Sequence, residues 1–220
     1  QGATAIAIIF HAAGLIGILF FDRDFFVKTT AVHLLLMTVL IFYTQDHIKT
    51  GFILFFSCCV AAGLAVEILG TSTGMLFGNY NYGNVLGPGI KNVPLIIGIN
   101  WFIIVYCCGI SMSTLFKRLA AKVSGENISQ NKFLKVASVV FDGATLAVFF
   151  DWILEPVAIK LGYWQWYNEE IPLFNYISWF IVSALLLVLF QQFRFSKENK
   201  FAVNLLLIQL MFFLILRTFL

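Results

Sequence analysis

Charge is what this chain has least of. Only 11% of its 220 residues are charged, against about 25% in a soluble domain, and the mean hydropathy is +0.92. A secreted or cytosolic globular fold is excluded, because lipid is the solvent for most of such a chain. The net charge of +3 is small. The basic residues cluster between the apolar runs, which fits membrane orientation and not nucleic-acid binding. Cysteine is sparse too. The four occur as adjacent pairs, Cys58-Cys59 and Cys107-Cys108. Helix neighbours point about 100° apart, so neither pair is a C-x-x-C clamp, and both read as small packing residues. His11, His33 and His47 lack H-x-x-H or E-x-x-H spacing, so no metal site is expected. His11 and His33 fall inside apolar runs, where they bond between helices or line a cavity. The first apolar run has no basic segment before it and no small-x-small cleavage signal after it; it reads as a span and not a removed leader.

What is present is a series of seven apolar segments, at residues 3–21, 29–43, 51–70, 94–115, 133–153, 174–193 and 201–219. Most approach the ~20 residues that a helix needs to cross the hydrocarbon core. The second is short and ends near Gln45 and Asp46. The expected fold is all-α: a polytopic membrane protein of about seven transmembrane helices in one domain, residues 1–220. Lys117, Arg118, Lys122, Lys132, Lys197, Lys200 and Lys49 fall on one side of the membrane. Arg23, Lys28, Lys91 and Lys160, with acids among them, fall on the other. The positive-inside rule then puts the N-terminus in the cytoplasm.

Two stretches read as copies. One runs from Glu67 through Gly78, Tyr80 and Tyr82 to Val93-Pro94-Leu95 and Asn100-Trp101-Phe102-Ile103. The other runs from Asp151 through Gly162, Trp164 and Trp166 to Ile171-Pro172-Leu173 and Ser178-Trp179-Phe180-Ile181. Aligned without gaps, Glu67 falls on Asp151, Thr71 on Glu155, Gly78 on Gly162 and Tyr80 on Trp164. A short deletion then restores register at Val93 and Ile171. The repeat units span about residues 51–115 (third and fourth helices) and 133–193 (fifth and sixth). Both copies leave, loop and return on the same side, so the repeat is parallel, with a pseudo-two-fold along the membrane normal.

The chemistry-bearing residues lie in these copies. Glu67 stands near the outer end of the third span. Asp142 stands near the middle of the fifth. Asp151 and Glu155 are four apart on that same helix, hence on one face, and Pro156 is expected to loosen the helix end. A carboxyl in hydrocarbon needs a partner, a water or a proton, and is a functional candidate by default. The candidate acids are Glu67, Asp151 and Glu155, with Asp142 in reserve; Asp142 also reads as a structural acid. The aromatic-amide loops carrying Tyr80, Tyr82, Trp164 and Trp166 read either as an interfacial belt or as a lid over a cavity. Asn100, Trp101, Asn175 and Trp179 put polar groups beside large rings on the return helices.

The run Glu67-Ile68-Leu69-Gly70-Thr71-Ser72-Thr73-Gly74, with Phe77-Gly78-Asn79-Tyr80, Gly87, Val93-Pro94-Leu95 and Asn100-Trp101, resembles the membrane carotenoid-hydratase family. That family includes bacterial carotenoid 1,2-hydratases and archaeal bisanhydrobacterioruberin hydratases. Asp151, Glu155-Pro156, Gly162-Tyr163-Trp164 and Pro172-Leu173-Phe174-Asn175-Tyr176 resemble its second block. The resemblance covers roughly residues 51 to 190. It implies addition of water across the terminal C1=C2 bond of an acyclic carotenoid ψ-end, without a cofactor. A long apolar carotenoid and water are the implied ligands, other carotenoid-pathway enzymes are candidate partners, and a bacterial inner membrane is the expected location. The chemistry requires an acid to protonate an unactivated alkene, ring faces to bear a tertiary cation, and a held water. On that chemistry Asp151 or Glu67 is the proton donor, and the other, or Glu155, orients water. Tyr80, Trp101, Trp164 and Trp179 are the cation-facing rings.

Other readings share these features. A carotenoid cyclase starts with the same protonation and quenches the cation internally. A proton-coupled small-molecule transporter suits parallel repeats with acids at depth. A retinal protein needs a Schiff-base lysine in a span, and residues 201–219 contain none.

Overall fold

Among the described residues, six helices are long and apolar enough to cross a membrane. The computed structural model describes residues 1–123, 132–167 and 170–220. Asn168 and Glu169, at the end of the second aromatic loop, lie outside the described residues.

The six are α1 (Gly2–Phe20), α4 (Thr50–Thr73), α5 (Ile96–Val123), α6 (Lys132–Lys160), α7 (Leu173–Gln192) and α8 (Lys200–Phe219). Between α1 and α4 lie α2 (Arg23–Lys28) and α3 (Thr30–Thr44). The all-α expectation holds, with six helices of spanning length where seven were expected; α3 occupies the place of the short second segment and is not among the six. Its 15 residues rise about 22 Å, less than the ~30 Å hydrocarbon core. Its end is tied down by polar groups: Tyr106 donates to Gln45, Gln45 Nε2 donates to Ser196 O at 3.1 Å, and Asn199 Nδ2 donates to Thr44 Oγ1 at 3.1 Å. The helix α2 was not expected from the sequence. The Asp22 side chain starts it by accepting from the Phe25 N–H at 3.0 Å, an ordinary N-cap.

The central element is α5. Every residue from Trp101 to Ile110 is buried, because α3, α4, α6, α7 and α8 all pack around it. A helix that is apolar on every side is at home only when surrounded.

Pro156 lies inside α6, and the helix runs on to Lys160. A proline removes the hydrogen bond to the carbonyl four residues back, here that of Trp152. Arg217 Nη1 donates to that carbonyl at 3.0 Å, and its guanidinium lies 4.2 Å from the Trp152 ring centre. The lost partner is thus replaced from α8.

The two aromatic loops meet. β1 (Tyr80–Tyr82) and β4 (Trp164–Trp166) form an antiparallel ribbon, with Tyr80 opposite Trp166, Asn81 opposite Gln165 and Tyr82 opposite Trp164. This is the pairing that two copies of one strand make about a two-fold axis. A second small ribbon, β2 (Gly89–Ile90) with β3 (Val93–Pro94), leads into α5. Upstream of the ribbon, α4 stops at Gly74, whose φ of 67° is the left-handed conformation that glycine adopts without strain.

Candidate functional site

Three carboxyl groups converge beneath the β1–β4 ribbon. Glu67, on α4, accepts from three donors. Tyr80 and Tyr82 both reach its Oε2, the latter at 2.7 Å, and Trp101 Nε1 reaches Oε1 at 2.9 Å. The two tyrosines come from one strand, two residues apart, and Trp101 comes from α5. The close fit has a local cause at Gly63: a Cβ there would lie 2.7 Å from the Trp101 indole.

Glu155, on α6, sits in a matching cradle built from the other strand. Trp164 Nε1 and Trp166 Nε1 each donate to its Oε2 at 2.9 Å. One turn earlier, Asp151 accepts from Asn175 Nδ2 at 2.7 Å on Oδ2. The same amide lies 3.4 Å from Glu155 Oε1, so Asn175 joins the two acids. Asp151 is fully buried, and its Oδ1 has no hydrogen-bond partner among the described residues. An unpaired buried oxygen is costly.

The three carboxyls line a cavity of about 20 Å³, shared with Asn100, Asn175 and the loop aromatics. That is room for one water, which needs about 10–15 Å³. Trp101 and Trp179 stack on its border, ring centres 3.9 Å apart. A second, larger cavity of about 370 Å³ adjoins it and is almost wholly apolar. Ile97, Asn100 and Trp164 line both spaces. The larger one lies among α1, α2, α3, α6 and α8, with Phe10, Val32 and Phe212 in its walls.

Of the residues singled out from sequence, Glu67, Asp151, Glu155, Tyr80, Tyr82, Asn100, Trp101, Trp164, Trp166, Asn175 and Trp179 all line the small cavity. Asp142 does not join them. It lies exposed on α6, where Ser138 Oγ donates to its Oδ2 at 2.5 Å. The two copies are also unequal. Thr71, aligned with Glu155, spends its hydroxyl on the Glu67 backbone carbonyl at 2.9 Å, and Ser178, aligned with Asn100, donates to Leu76 O. Four residues beyond Val93 and Ile171, apolar Ile97 stands where the second copy has Asn175. The second stretch thus brings Asp151, Glu155 and Asn175 to the cavity, and the first brings Glu67 and Asn100.

Sequence reasoning missed the large cavity and with it Gln209, which lines it from α8. The available signal was an amide in the otherwise apolar run Leu205-Leu206-Leu207-Ile208-Gln209-Leu210. No group of three or more His, Cys, Asp or Glu side chains able to hold a metal ion occurs among the described residues.

Helices built to cross a membrane and a lidded carboxylate cluster beside an apolar chamber define an integral membrane protein with a buried polar site. The family model described as carotenoid biosynthesis protein matches residues 28–220. The chain belongs to that family. No curated protein and no solved structure matches it.

Proposed function

We propose that the protein is a carotenoid hydratase, adding water across the terminal C1=C2 double bond of an acyclic carotenoid ψ-end. The observation that carries this reading is the adjacency of the two cavities. A water-sized space held by three carboxyls opens beside an apolar chamber fit for a polyene tip.

The steps balance as the addition of one water. Asp151, whose Oδ1 is uncommitted, gives a proton to C2, and the π electrons form the new C–H bond. C1 becomes a tertiary cation. Trp164, which lines both spaces, presents a ring face to it; such a contact is worth about 2 kcal/mol when desolvated. A water in the small cavity bonds through oxygen to C1. It loses one proton to Glu155, the carboxylate that shares Asn175 with Asp151, and that proton returns to Asp151 for the next cycle. Glu67, held by three donors, orients the water. Asn100, at the wall between the spaces, positions it against the alkene. No redox change occurs and no cofactor is required by the balance. The substrate enters laterally from the bilayer. The ribbon faces the non-cytoplasmic side, and the N-terminus is cytoplasmic.

The test is expression in a lycopene-producing host, with pigments analysed by mass. The expected product is heavier than its precursor by one water per hydrated end. An isomer of unchanged mass would assign the same acids to cyclisation, and unaltered lycopene would remove the proposal.

A further inference from the structure

Part of the wall of the apolar chamber is also the outer surface of the helix bundle. Phe10 on α1 and Val32 on α3 line the chamber, yet they are 49% and 68% exposed. Each stands one residue before a histidine of the same wall. Those histidines, His11 and His33, meet Nε2 to Nε2 at 3.3 Å. His11 Nδ1 lies 2.8 Å from the Ala7 carbonyl. A carbonyl only accepts, so His11 carries its proton on Nδ1, and His33 donates to its Nε2. Among the described residues this is the one hydrogen bond that joins α1 to α3.

Elsewhere both helices are held to other elements. α1 packs chiefly on α8, and α3 chiefly on α5. At the ribbon end, α2 closes the gap between them. Its Phe26 lies so near α1 that a Cβ at Gly17 would stand 2.3 Å from the ring, and its Arg23 donates to the Lys160 carbonyl. At the opposite end each helix is tied to the start of α8. Asn204 Nδ2 donates to Thr4 Oγ1 at 3.2 Å, and Asn199, the N-cap residue of α8, donates to Thr44 Oγ1. The middle of the seam is held by the imidazole pair. A separate groove on the bundle surface, lined by Thr145, Val148, Tyr176, Ile177 and Phe180, shares no residue with the chamber or with the carboxylate cavity.

We infer that the seam between α1 and α3 is the port through which a polyene tip passes from the bilayer into the chamber. Phe10 and Val32 are its lips, and the His11–His33 bond is its latch. A long hydrocarbon has no favourable path through water, so its way in begins at a lipid-facing wall. The seam is such a wall, with both ends fixed and its centre joined by one neutral hydrogen bond. Such a bond is weak enough to break for entry, and two imidazole nitrogens left unpaired in hydrocarbon draw it closed again. Beyond the latch, Ile97, Asn100 and Trp164 border both the chamber and the carboxylate cavity. This inference rests on the hydration reading only for seating the polyene in the chamber.

The test bridges the lips. Phe10→Cys and Val32→Cys are combined with Cys58→Ala, since the other three cysteines are buried. The purified full-length protein is treated with a reducible bis-methanethiosulfonate that links two thiols, before or after loading with lycopene. It is then moved into pigment-free micelles, and retained pigment is read by visible absorbance. Bridging after loading is expected to trap the pigment, and bridging before loading to exclude it. Reduction is expected to restore exchange, which also reports that the fold has survived. His33→Leu unlatches the seam and is expected to speed pigment loss from the unbridged chain; an unchanged or slower loss would overturn the latch. Exchange that continues unaltered through the bridged seam would overturn the port. Retention is read whether or not the pigment has been hydrated, so either failure leaves the hydration reading standing, and an absence of hydrated product leaves the port standing. Failure of the unaltered protein to take up lycopene would remove the chamber as the polyene's seat, and the inference with it.

Discussion

Trp101 and Trp179 lie face to face, with ring centres 3.9 Å apart and planes 13° from parallel. They are the residues that the two sequence copies align with each other, and they meet between α5 and α7 where a pseudo-axis would pass. Of these two, Trp101 has its indole nitrogen on a carboxylate, at 2.9 Å from Glu67 Oε1. The stack itself is worth about 0.5–1.5 kcal/mol. The hydrogen bond is a separate quantity, and the two are separable by mutation. Trp101→Phe is expected to lower kcat about tenfold or more by leaving Glu67 one donor short. Trp179→Phe trims the stack alone and is expected to lower melting temperature more than kcat. Turnover and thermal melting of both purified variants decide the matter; equal kcat losses would deny Glu67's bond a separate role.

Asp151→Asn should abolish the proton donor. General acids contribute about 10²–10⁴-fold, so hydroxylated product should fall at least about a hundredfold at matched protein level. Asp142→Asn, on the exposed side of α6, should leave it within about twofold. If the Asp151 variant keeps full activity, the assigned donor is wrong.

Packing at Gly63 offers a test that touches no acid. Gly63→Ala drives a Cβ into the Trp101 indole, 2.7 Å away, and overpacking of this kind costs about 1–3 kcal/mol. Both melting temperature and turnover should drop. At Gly14, by contrast, an added Cβ meets Phe212 at an ordinary 3.6 Å, and the residue lines the large chamber. Gly14→Phe should fill that space and raise KM for the polyene, with the melting temperature held. An unchanged KM would separate the chamber from substrate binding.

Lys197, between α7 and α8, supplies a pH dependence. Burial, followed by repulsion from Lys135, lowers its amine to about 7 from 10.5, and the nitrogen lies 3.0 Å from the Phe195 ring centre. Between those values the unfolded chain binds the proton and the folded chain does not. Stability must then rise as pH increases from about 7 towards 10.5. Melting in detergent should show that slope, and Lys197→Met should flatten it. An identical slope in the variant would place its origin elsewhere.

Much of the acid cluster was readable from the chain, because acids are rare in apolar runs and each stands out singly. Glu67, Asp151 and Glu155 were legible for that reason; the aromatic loops were legible as equivalent copies, but not that they pair with each other, Tyr80 opposite Trp166 and Tyr82 opposite Trp164. Direction was not legible. In lipid, a helix is apolar towards both its neighbours and its solvent, so periodicity cannot say which way Asp142 points. The continuation of α6 through Pro156 was equally hidden, since it depends on Arg217, far along the chain. Gln209 escaped notice because one amide in α8 carries no partner in sequence. The inequality of the copies was half visible: Thr71 opposite Glu155 could be read, but not that its hydroxyl turns back on the helix.

The β1–β4 ribbon has a consequence for how such a molecule can be assembled. A strand whose register matches a twin of itself demands no second design. A half-length polypeptide with one copy would close the same roof by meeting another of its kind across a dimer axis. Tethering the halves in a single gene product removes that symmetry requirement, so one half is free to carry an acid where the other keeps a threonine.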